Sequence, residues 1–226
     1  MRHHTGPVDP ESKEFRDTQA VTQAALEALN GYMKVLSELS AKDVANVSSD
    51  FSTMDPDLST LTVTNPKVRS GLEASSALAS ILLDAAVRND LKKLIVKAAE
   101  PVGQITTYLV DQAQITRNVC IQTVAANHEY WAGLTTQNPA NREFCSQHTI
   151  CKPLYALANR ALVTENNDLN AKAVAAEAAA KAFQKIHDDN AALVNNVDHL
   201  DAKALTEILT NDEPYLISAI RDLEAL

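Results

Sequence analysis

The residues best suited to chemistry lie in one polar stretch, NPANREFCSQHTICKP, from Asn138 to Pro153. It carries Cys145 and Cys151, two of the three cysteines, together with Phe144 and His148. Thiols can pair, hold a metal or exchange disulfides, and spacing separates these outcomes. The five residues SQHTI between the cysteines fit neither a two-residue zinc knuckle, nor a haem-attachment motif, nor a dithiol redox motif. A structural disulfide in an oxidising compartment is the expectation. Closing a loop of seven residues would contribute roughly 2.4 kcal/mol in the chain-entropy account. Two reduced thiols in a cytosolic loop, or metal ligation, are the alternatives. Cys120, in Val119-Cys120-Ile121, reads as a buried free thiol. With three cysteines, one stays unpaired or bridges to another chain.

His128, Glu129, Tyr130 and Trp131 come just before the stretch. With His148 they form the densest group of polar, aromatic and titratable side chains in the chain. Two roles compete for them: a contact surface for a ligand or partner, or a cap in which Tyr130 and Trp131 close the core while His128 faces water. The candidate interaction surface is His128, Tyr130, Trp131, Phe144 and His148. His128 and His148 lack the carboxylate partner that would make a convincing metal site. His187 and His199 stand with Asp188, Asp189, Asp198 and Asp201, where caps and helix-surface charges account for them. No Gly-rich phosphate loop, nucleophile elbow, HExxH or paired Glu-x-x-His motif occurs in the sequence. The chain is therefore expected to be no enzyme, with neither cofactor nor metal.

Helices must position these residues. Apolar residues make up 46% and aromatics only 4% of 226 residues, so alanine supplies much of the core. Alanine has the best helix propensity. Five glycines are too few for the repeated tight turns of an all-β fold. Phe15 to about Val47 reads as a first helix, with Val21, Ala25, Leu29, Tyr32, Met33, Leu36 and Leu39 on one face. Ser48 to Asn65 is a linker rich in turn residues. Asn65-Pro66 opens a second helix, to about Arg88. From Leu91 to Leu134 the pattern stays helical for about 44 residues, roughly 65 Å. A kink or short break is expected near Ala98 to Pro101. The inner face of this helix is read as Leu94, Val102, Ile105, Leu109, Gln112, Thr116, Val119, Thr123 and Ala126.

Lys152-Pro153 opens another long pattern, to about Val197, with Leu154, Leu157, Ala173, Ala176, Phe183 and Ile186 among its inner positions. Asn166, Asn167 and Asp168 could interrupt it. A corner at Asp198 to Asp201 leads to a last helix, Ala202 to Leu226, with a restart at Pro214. Two long neighbours joined by a short polar turn pack antiparallel. The fold class is all-α: an elongated helical bundle of four to six helices, built on a long antiparallel helical hairpin. Residues 15–226 are read as one bundle domain. Residues 1–14 are read as a tag-like or disordered N-terminal segment, because Arg2, His3 and His4 look like a tag remnant or an untemplated start.

A net charge of −9 repels phosphate, and no basic stripe with interleaved aromatics occurs, so nucleic acid is not an expected partner. No apolar run reaches the roughly 18 residues of a membrane span, which leaves peripheral or lipid-anchored association. A long alanine-rich bundle with one small disulfide resembles, in general terms, bacterial envelope lipoproteins and sensor-type bundles. That likeness and the cysteine pair imply a non-enzymatic protein of the periplasm or cell envelope acting through a protein partner. A ligand-sensing or carrier bundle, using Gln112, Thr116 and Thr123, is one alternative. A cytoplasmic coiled-coil assembly protein is the other.

Overall fold

The computed structural model describes residues 10–41, 63–88, 91–132, 143, 151–199 and 214–218. The elements are α1 (Pro10–Ala41), α2 (Pro66–Arg88), α3 (Leu91–Ala132) and α4 (Cys151–Asn195), with a further helical turn at 214–218. The protein is all-α, as its composition predicts, and the described residues include no strand.

Local chemistry explains the helix ends. α1 starts at Pro10, ahead of the apolar pattern that begins at Phe15, because proline is pre-set for the first helical position. At α2, Asn65 acts as the N-cap: its Oδ1 accepts from the Lys67 backbone N–H at 3.0 Å, and Pro66 follows it. Its carbonyl accepts from the Arg69 N–H at 2.9 Å. Between α2 and α3 the chain reverses. Lys97 and Asp84 are 13 residues apart, about 20 Å along a continuous helix, yet their charges meet at 3.2 Å. The corner after α4 is a turn at 196–199, where the His199 N–H bonds to Asn196 O at 2.8 Å. Residues 214–218 are helical, and the restart expected at Pro214 turns on the residues before it, outside the described ones.

The chain forms two compact units, Met1–Gln112 with Ala180–Ile220 and Ala113–Ala179 with Arg221–Leu226. The first contains α1, α2, the N-terminal half of α3 and the C-terminal end of α4. Its core is built from large side chains, with Leu29, Tyr32, Leu36, Leu78, Leu82, Leu94, Ile95, Ile105, Leu109, Phe183 and Ile186 fully buried. α1 lies along α2. α2 approaches α3 at Gly71, where an added Cβ would stand 2.8 Å from the Tyr108 ring. Glycine is what lets that ring lie against the backbone of α2. α3 and α4 run antiparallel here, with Thr106 meeting His187, Ala99 meeting Asn190 and Lys92 meeting Asp198.

The second unit pairs the C-terminal part of α3 with the N-terminal part of α4, again antiparallel: Arg117 meets Glu177, Asn127 meets Asn166, and Trp131 meets Tyr155. Among its described residues, the buried ones are small or polar: Ala113, Cys120, Asn166, Ala173, Ala176 and Ala179. The antiparallel pairing expected of the two long helices is thus present in each unit.

Three expectations need correction. Of the kink or short break expected near Ala98 to Pro101, the break does not occur: α3 runs unbroken through Pro101. Pro101 cannot donate to the Lys97 carbonyl, but Ala98, Val102 and Ile105 are fully buried on either side and hold the helix in place. Asn166 to Asp168 do not interrupt α4, because Asn166 is buried and bonded to Asn127. The inner face of α3 past Leu109 is also shifted by one residue. It follows Ala113, Thr116, Cys120, Thr123 and Asn127, whereas Val119 is 55% exposed and Ala126 is exposed. Both phases repeat in steps of three and four. Arg117–Glu177 and Asn127–Asn166 select the one that faces α4.

Candidate functional site

The sequence-predicted surface lies at the α3–α4 end of the second unit. The structure places His128, Tyr130 and Trp131 on the last turns of α3, while Phe144, Cys145 and His148 fall outside the described residues. Cys151 begins α4, and the pairing expected between it and Cys145 falls outside the described residues. His128 faces water, as does Tyr130, which is 69% exposed. Trp131 instead turns toward α4, edge-on to Tyr155 with ring centroids 6.0 Å apart and planes 86° apart. The capping role read for Tyr130 and Trp131 together is thus divided: Trp131 closes the seam and Tyr130 stands outside it.

Leu154 and Leu157, expected inside, are 56% and 67% exposed. The seam they were to fill instead holds small side chains and one buried asparagine. Asn127 Nδ2 donates to Asn166 Oδ1 at 2.9 Å, and Arg117 Nε donates to Glu177 Oε2 at 3.2 Å. Thr123 returns its hydroxyl to Val119 O on its own helix at 2.9 Å. Cys120 is a buried free thiol, as read from the sequence.

A second concentration of polar groups, in the first unit, was not singled out from the sequence. Tyr32 is 1% exposed and donates its hydroxyl to Asn190 Oδ1 at 3.1 Å. Asn190 in turn donates from Nδ2 to Ala99 O at 3.4 Å, close to Pro101. Burial pushes the Tyr32 hydroxyl well above the ordinary tyrosine range. Thr106 directs its one proton to Val102 O at 2.8 Å, shared with Gly103 O at 3.1 Å. Its oxygen also lies 3.0 Å from His187 Nδ1, within hydrogen-bond distance. Tyr108 meets Thr22 Oγ1 at 2.9 Å, and burial raises its hydroxyl while the bond to Thr22 partly offsets the rise. These groups bond across helices to one another and to backbone carbonyls, which makes them a polar layer that fixes how the helices align. Tyr32 and Asn190 sit on ordinary helical positions 158 residues apart, so only the fold reveals the pairing.

The acidic residues near His187 are likewise explained by helix neighbours. Asp188 accepts from Gln184 at 3.0 Å, Asp189 pairs with Lys185, and Asp198 pairs with Lys92. Among the described residues no group of three metal-ligating side chains converges. One cleft of about 250 Å³ opens where the start of α1 meets the start of α2, lined by Lys13, Glu14, Asp17, Thr18, Val63 and Val68. It is smaller than the roughly 300–1,000 Å³ that drug-sized ligands occupy. No described helix is long and apolar enough to cross a membrane.

Compared with family models, curated proteins and solved structures, the chain matches none.

Proposed function

We propose that this chain is a non-enzymatic helical-bundle protein that acts through protein–protein contact, with its contact surface on the second unit near Tyr130. The observation that carries this reading is the exposure of Tyr130, Leu154 and Leu157 at the same end of the α3–α4 pair. Burying such side chains is worth about 1.5–3 kcal/mol each, so leaving them in water favours a partner that covers them. Tyrosine is also enriched at interfaces, since its ring buries area while its hydroxyl stays hydrated.

A photo-crosslinking residue in place of Tyr130, in the intact chain inside producing cells, tests this. A discrete crosslinked protein species is expected. Crosslinks that arise only from an equivalent probe at Asn170 would place the contact elsewhere and overturn the reading.

The bacterial cell envelope is the compartment proposed with it, with lipid anchoring or peripheral membrane association as the means of retention. The support is the Cys145–Cys151 pair in the sequence. Mass spectrometry without reductant, on protein from an oxidising compartment, should find this pair two hydrogen atoms lighter. Two free thiols would remove the assignment. A second reading, a small-molecule sensor, has the cleft beside Asp17 and Val68 in its favour. Ligand stabilisation in a thermal-shift screen, lost on Val68→Glu, is its test.

A further inference from the structure

We draw no further inference here: the strongest candidate, the cleft of about 250 Å³ where the start of α1 meets the start of α2, is the one already described, and its buried lining residues, Val63 and Val68, are apolar, so nothing in the structure shows what would fill it.

Discussion

Two single positions carry more of the packing than their type suggests. Gly71 would ordinarily be improved by alanine, which is about 1 kcal/mol better in a helix. Here the added methyl group would stand 2.8 Å from Tyr108 Cγ and 2.9 Å from Cδ1. The ring cannot move freely, because its hydroxyl is tied to Thr22 at 2.9 Å. Gly71→Ala should therefore destabilise the protein by about 1–2 kcal/mol, overpacking exceeding propensity. In a double-mutant cycle with Tyr108→Leu the costs should be strongly non-additive; additive values would mean the ring is not the obstacle. Tyr32 is the second position. Tyr32→Phe leaves buried Asn190 Oδ1 without its donor at a cost of about 1–3 kcal/mol. The pH dependence has a definite sign. Burial raises the Tyr32 hydroxyl, so above the ordinary tyrosine value of about 10 the unfolded chain releases its proton first. Stability from this group is intact below about pH 10 and falls as pH rises beyond it. Urea midpoints at about pH 8 and pH 11 should fall less in Tyr32→Phe than in the parent, and an equal fall would exclude Tyr32 as a source.

At the scale of the helices, the sequence was most informative where one periodicity had a single solution. Val21, Ala25, Leu29, Tyr32 and Leu36 repeat on α1 with strong side chains and are buried as expected. Asn65-Pro66 marked the start of α2, because capping chemistry is local and needs no partner helix. Past Leu109 on α3 the signal became ambiguous. Two adjacent phases each offered small or polar residues, and the choice depended on Asn166 and Glu177 on another helix. The same ambiguity placed Leu154 and Leu157 inside, although the seam holds small side chains and one buried asparagine. Of the candidate surface, Tyr130 was legible as an aromatic at a helix end. Its neighbours on α4 were not, because their exposure follows from the seam. This argument predicts that Asn127–Asn166 sets the phase of the α3–α4 pairing, as buried asparagines do in coiled coils. Replacing both by leucine should raise the melting temperature while loosening the register. Asn166→Ala alone should lower it, leaving Asn127 without its acceptor. Disulfide trapping between cysteines introduced at positions 116 and 177 would read the register: a single efficient pairing in the parent and several in the double-leucine variant. One unchanged pairing in both would show that the asparagines do not decide it.

For the whole molecule, the contrast between the two units sets where the chain opens first. The first unit buries Leu29, Tyr32, Leu78, Leu94, Ile105, Leu109, Phe183 and Ile186 completely. Each large buried side chain contributes about 1.5–3 kcal/mol, and truncating one such as Leu29→Ala should cost about 2–5 kcal/mol. The second unit buries alanines, one thiol and Asn166, so its seam removes far less apolar area from water. Local opening follows buried apolar contact. Amide hydrogen exchange should therefore divide α3 and α4 internally even though each is one continuous helix. Protection should be high from Leu94 to Leu109 and from Phe183 to Leu193. It should step down past Ala113 on α3 and before Ala173 on α4. Uniform protection along α3 from Ile105 to Asn127 would show that the small-residue seam is as stable as the large-residue core, and the division of stability between the units would not hold.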